Sequence, residues 1–172
     1  PGILIDADLD VELVHKELIA LYNTALDDFL AGREREGSVL ADAISERLND
    51  ITKIVADIRE EAPQWIATLR DNLREKAKNL GVDVDPDRLE QEVVMLAQKA
   101  DVAEELDRLD GHVKECFGIL KQKGAIGRKL DFLMQEFNRE ANTLGSKATK
   151  ESITRNAVQL KVLIEQMREQ VQ

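Results

Sequence analysis

The sequence predicts an all-α protein of long antiparallel helices, and three observations carry that expectation. Leu, Ala, Glu, Lys, Arg and Gln dominate, aromatics make up 3% of the chain and 3 of 172 residues are proline, a composition suited to long helices and coiled coils. Apolar residues recur at the spacing of one helical face along most of the chain. No stretch of useful length alternates polar with apolar residues as a half-buried strand does. With 34% charged and 43% hydrophobic residues, the chain is too apolar for disorder and can fill one good-sized core or two small ones.

The elements follow from period and punctuation. Asp8 or Asp10 is placed to cap a first helix, whose apolar face reads Val14, Leu18, Leu21, Ala25 and Phe29, then Val39, Leu40, Ile44, Leu48, Ile51, Val55 and Ile58. Gly32 and Gly37 weaken this helix without supplying a stop. Pro63, with its preset φ and missing N–H, suits the first turn of a new helix through Trp65 and Leu73 to a stop at Gly81. GVDVDPDR (81–88) is the best linker, which divides the chain into an N-terminal long-helix region (1–82) and a C-terminal helical domain (83–172). Pro86 then opens a helix of about 35 residues ending near Lys123 and Gly124. Another is expected over 125–144, ended by Gly145 and Ser146. The last begins at Glu151 or Ser152 and carries the stripe Ile153, Ala157, Leu160, Ile164, Met167 and Val171.

Charge narrows the function. A net charge of −10 argues against broad nucleic-acid binding, but the excess is N-terminal: residues 1–62 carry −9 and residues 101–172 balance. Between 116 and 150, Lys121, Lys123, Arg128, Lys129, Arg139, Lys147 and Lys150 outnumber three acids, a local +4 that suits either a phosphate backbone or plain solvated surface. No apolar run approaches a membrane span and no leader pattern opens the chain, so the expected location is cytoplasmic. The single cysteine, Cys116, reads as core packing beside Val113, Phe117 and Leu120; His15 and Trp65 read as structural.

A short connection at Gly124 makes the flanking helices antiparallel neighbours. Their apolar residues match when the numbers sum to about 246: Leu120 with Ile126, Phe117 with Leu130, Val113 with Leu133, Leu109 with Phe137, Leu106 with Ala141, Val102 with Leu144. Positions one before each seam residue project to one side of such a hairpin. They are Asp101, Glu105, Arg108 and His112 on one helix and Phe132, Glu136, Glu140 and Thr143 on the other. Glu105, Glu136 and Glu140, with Asp101, Glu104 and Glu115 at the margins, are the residue types that bind Mg²⁺ or Mn²⁺ in helical bundles. Arg108 could hold a phosphate, and His112 could move a proton in phosphodiester cleavage. The competing reading is an interhelical salt-bridge network with Arg108 between Glu105 and Glu140. Gln135, Arg139 and Asn142, about two positions off the seam, would face a third helix, another subunit or RNA.

The segments RLEQEVVMLAQKADVAEELDRLDGHVKE (88–115), GRKLDFLMQEFNREANTLGSKA (127–148) and LKVLIEQMREQVQ (160–172) closely resemble the C-terminal region of the YicC/YloC family, bacterial stress-associated endoribonucleases. The likeness extends weakly through REREGSVLADAISERL (35–48). It implies a divalent-metal-dependent enzyme, using Mg²⁺ or Mn²⁺, that cleaves single-stranded RNA as a homo-oligomer, expected to be a hexamer. It also implies a further N-terminal domain before Pro1, so the chain reads as a piece of a longer protein. By position, Glu104, Glu105, Arg108, His112, Gln135, Glu136, Arg139 and Glu140 fall in the matching motifs. The expected catalytic set is therefore His112, Arg108, Glu136 and Glu140, the metal set Glu105, Glu136, Glu140, Asp101 and Glu104, and the RNA-contacting set Arg128, Lys129, Arg139 and Lys147. The alternative is a non-catalytic helical scaffold or oligomerisation module of an RNA-processing protein, in which the same polar face is structural.

Overall fold

The structure is a computed structural model that describes residues 10–79, 85–99, 101–148 and 150–171. Five helices run in order: α1 (Val11–Asn79), α2 (Pro86–Lys99), α3 (Ala103–Leu120), α4 (Gly127–Lys147) and α5 (Glu151–Val171). Among the described residues there is no strand, and the class is all-α as expected. Asp8, the stop at Gly81 and the 81–84 part of the linker lie outside the described residues.

Asp10 caps α1, its Oδ1 accepting the Leu13 N–H at 3.1 Å. Gly32 and Gly37 leave the helix unbroken. Pro63 does so as well, against the expectation that it opens a new helix. A proline inside a helix costs about 3 kcal/mol through one lost backbone bond and a ring clash. Ile58 and Trp65 are buried on either side of it and Ala62 packs on the core. Burial worth roughly 1.5–3 kcal/mol per large side chain offsets that cost and keeps the axis running.

The chain divides after Asp42 into two compact units. In the first, the periodic residues Val14, Leu18, Leu21 and Phe29 stand exposed, and His15 is exposed beside them. In the second, α1 buries Ile44, Leu48, Ile51, Val55 and Ile58 in a core shared with α3, α4 and α5.

The helix expected from Pro86 to Gly124 is two helices. Asp85 starts α2, its Oδ1 accepting the Asp87 N–H at 3.0 Å, with Pro86 at the first helical position. α2 is tied to the end of α1 by Glu90, which pairs with Arg70 and, at 3.4 Å, with Arg74. The break that follows comes from Asp101, whose Oδ1 accepts the Ala103 N–H at 3.0 Å. Aspartate closing this local turn competes with the helical backbone and resets the chain before α3. Val102, at the head of α3, is buried.

Gly124, at φ +96°, makes the α3–α4 turn, a conformation that a side chain would strain. Every residue of the six expected seam pairs is buried or packed against the core. α4 continues two residues past Gly145 to Lys147, where the sequence suggested a stop. Gly145 marks where α4 and α5 lie close together: a Cβ there would sit 3.6 Å from that of Ala157, an ordinary contact that the helix would tolerate. At the other end of that pair Arg168 lies 3.9 Å from Asp131, which makes α4 and α5 antiparallel. The α1 segment runs antiparallel to α5: Arg47 Nε donates to Gln166 Oε1 at 3.2 Å and Ser152 Oγ to Glu61 at 2.7 Å. Arg59 ties it to α3 through Asp107 and Asp110, each at 2.9 Å. The α5 stripe from Ile153 to Met167 is buried throughout.

Cys116 lies in this core, where burial pushes its thiol up to about 12, with the neighbouring Glu115 adding to the shift. The folded value exceeds the unfolded one of roughly 8.5. The neutral thiol's contribution is therefore intact below about pH 8.5 and is lost as pH rises towards 12. Titration with a chromogenic disulfide reagent at pH 8 is expected to find no reactive thiol in the native chain and one per chain in guanidinium. Immediate native reaction would contradict a sealed α3 seam.

Candidate functional site

The polar side of the α3–α4 hairpin carries two buried carboxylates, each 3% exposed: Glu105 and Glu140. Both sit one position before a seam residue, so each backbone faces the core edge and its charge must be answered locally. Lys147 answers Glu105, its Nζ lying 2.8 and 3.0 Å from the two carboxylate oxygens. Arg108 answers Glu140, its Nη1 donating to Oε1 at 3.3 Å while Nη2 pairs with Glu104 one turn back on α3. The charge of Glu104, then that of Glu140, raises the Arg108 guanidinium above its already high ordinary value, and Glu105 adds to this. Arg108 is about half exposed, so a cation with donors to spare faces solvent between three acids.

The register that joins Arg108 to Glu140 places His112 opposite Glu136. The His112 ring packs edge-on against Phe137, centroids 5.5 Å apart at 64°, and its Nε2 is buried with no hydrogen-bond partner. Glu136 is half-buried and makes no hydrogen bond or ion pair among the described residues. It is the one carboxylate of the expected centre left uncommitted. Asp101, expected at the margin, is spent on the α3 turn.

This arrangement does not suit a resident metal. Among the described residues no three His, Cys, Asp or Glu side chains stand grouped to hold an ion. The oxygens of Glu105 and Glu140 already face Lys147 and Arg108, and Glu104 faces Arg108. What the sequence indicated as an acidic cluster is a chain of acid–base pairs; the competing reading put Arg108 between Glu105 and Glu140, and it lies instead between Glu104 and Glu140, with Glu105 held by Lys147.

Of the bases expected to meet RNA, Lys147 is occupied by Glu105. Arg128 and Arg139 are exposed with no side-chain partner among the described residues, and Lys129 donates to Gln122 Oε1 at 2.7 Å across the turn. Among the described residues Gln135 and Asn142 bond to no third helix; they stay exposed and bond along α4, to Asp131 at 3.1 Å and Asn138 at 2.9 Å. The register puts Phe132 on this side as well, 63% exposed and one turn before Glu136. An aromatic in a position reserved for polar residues was the signal available in the sequence.

Comparison with known proteins bears on this face. The family model described as "Endoribonuclease YicC-like, C-terminal" matches residues 58–172. The chain is 48% identical over 172 residues to a probable endoribonuclease YicC of Haemophilus influenzae, covering 100% of this chain and 60% of that protein. It is 34% identical over 162 residues to a probable endoribonuclease YicC of Clostridioides difficile, covering 90% of this chain and 55% of that protein. The chain thus spans little more than half the length of these relatives. Every residue of the hairpin face falls inside the family match, and the chain belongs to the YicC-like endoribonuclease family through its C-terminal domain.

Proposed function

We propose that this chain supplies the RNA-cleaving face of a homo-oligomeric endoribonuclease that acts on single-stranded RNA. The observation that carries the proposal is the juxtaposition on one hairpin face of an uncommitted carboxylate, Glu136, with the half-exposed Arg108 cation one register step away. Phosphodiester cleavage needs a base for the attacking hydroxyl and positive charge where the phosphoryl oxygens gain it. Glu136 takes the proton, and Arg108 steadies the phosphate after the exposed Glu104 swings off its Nη2. Glu140 keeps the guanidinium aimed. His112 packs against Phe137 with its Nε2 enclosed, so the proton is assigned to Glu136 in preference to that nitrogen. Arg139 and Arg128 are exposed along α4 to meet flanking phosphates. Dependence on Mg²⁺ or Mn²⁺ is part of the proposal for the whole protein; among the described acids of this face and its margin, Glu136 and the exposed Glu115 are the ones not already paired with a base or a backbone N–H. Oligomerisation is supported by the many large apolar side chains left exposed in the unit up to Asp42, Leu18, Leu21, Tyr22 and Phe29 among them.

In the full-length protein, Glu136→Gln is expected to lower the cleavage rate of a labelled single-stranded RNA by about 10²-fold or more, with KM within a few-fold. Glu136 has no partner to lose, so folding should be unchanged. An unaltered rate would remove Glu136 from the chemistry. Parallel assays with Mn²⁺ and with chelator, and light scattering of the same samples, test the ion and the assembly. The pairs Lys147–Glu105 and Arg108–Glu140 favour a second reading, the helical scaffold. Assembly indifferent to metal together with full activity in Glu136→Gln and Arg108→Gln would select it.

A further inference from the structure

We infer that Phe132 is a base-stacking platform that seats one nucleotide of single-stranded RNA beside the α3–α4 turn; this subsite rests on the RNA-cleaving reading above. A ring 63% exposed is costly to leave in water and contributes nothing to the core. It lines a groove of about 650 Å³ whose other walls include Gly118, Ile119, Arg128 and Lys129. A Cβ at Gly118 would meet nothing within 4 Å, so that wall leaves open space where a planar base could lie.

The surroundings specify the occupant. From Cys116 to Leu130 there is no acid, while Lys121, Lys123, Arg128 and Lys129 all fall in the turn and the first turn of α4, and all four are exposed. Glu115 is the one acid on the groove, and Asp131 at its edge is engaged by Arg168 and Gln135. An apolar ring with Arg128 and Lys129 on the same groove fits a ligand that is flat and apolar in one part and anionic in the next. A nucleotide in a single strand is that ligand, since every base presents a π face and every linkage a charge. A peptide helix would need a longer apolar stripe than one phenyl ring.

The subsite is also continuous with the proposed centre. Phe132, Glu136 and Glu140 follow one another at four-residue intervals on α4, about 6 Å of rise per step. A base held on Phe132 therefore delivers an adjoining phosphate towards Glu136 and Arg108. Phe132 acts as a positioning residue, and the bases at the turn supply sequence-independent attraction.

The test is equilibrium binding by the full-length protein of a fluorescent 2′-O-methyl oligouridylate and of the same oligomer with abasic sites. Phe132→Ala is expected to weaken binding of the base-containing oligomer by roughly 5- to 150-fold, and Phe132→Trp to keep it. The abasic oligomer should bind the parent weakly and be indifferent to Phe132→Ala. Arg128→Ala with Lys129→Ala should weaken both oligomers alike and flatten the salt dependence. Equal loss of both oligomers in Phe132→Ala, or no loss, overturns the platform while leaving RNA cleavage standing. A parent that neither binds nor cleaves RNA overturns the functional reading and the subsite together.

Discussion

Replacing Phe137 by alanine is expected to destabilise the unit from Ala43 onward by about 3–5 kcal/mol, the largest single effect among the core positions. Phe137 is fully buried in the middle of α4, at the rung that faces Leu109, and its ring packs against that of His112 at 64°. Truncation removes the transfer energy of a phenyl group and leaves a hole that two neighbouring helices, both firmly held by other rungs, close only in part. Against a typical total of about 5–15 kcal/mol, that loss takes much of the stability. Urea denaturation should show a lower midpoint at unchanged slope, with Phe137→Leu losing far less. Phe132→Ala, five residues earlier on the exposed side, should stay within about 0.5 kcal/mol of the parent. A small effect at Phe137 together with a large one at Phe132 would mean that the hairpin register is off.

The contrast between these two phenylalanines shows what a sequence discloses about this fold. The α3–α4 seam was legible because a short turn with a glycine forces antiparallel neighbours, and six apolar pairs then admit one register. The α5 stripe was legible for the same reason of strict period. Pro63 and Asp101 are less legible because each is a local signal whose outcome depends on its surroundings. Burial of Ile58 and Trp65 carries α1 through a residue that normally ends helices, whereas at Asp101 the side chain takes the Ala103 N–H and the chain turns even though Val102 beside it is buried. The candidate site was half legible. Period and register place Glu105, Arg108, His112, Glu136 and Glu140 on one face, but spacing alone cannot say which base each acid chooses. Helix α4 extends two residues past Gly145, and that small extension is what brings Lys147 to Glu105 and turns an expected RNA contact into an internal counter-ion.

That last assignment yields the second large effect. Lys147→Met should cost about 3 kcal/mol, because it strands the Glu105 carboxylate at 3% exposure without its cation. The lower end of the range for broken buried pairs is appropriate, since Lys147 itself is 30% exposed and solvent reaches its end of the pair. Glu105→Gln alone should cost less, as a neutral amide tolerates burial better and leaves Lys147 free to turn to water. Glu105→Gln added to Lys147→Met should restore most of the loss, giving a coupling energy of about 1–3 kcal/mol in the double-mutant cycle. If Lys147 served RNA instead, the pattern would differ in kind. Lys147→Met would then leave the urea midpoint in place, weaken RNA binding uniformly and reduce the salt slope by about one counter-ion. Measured on the same four proteins, the denaturation midpoints and the salt slopes separate a lysine that holds the hairpin together from one that reaches for phosphate.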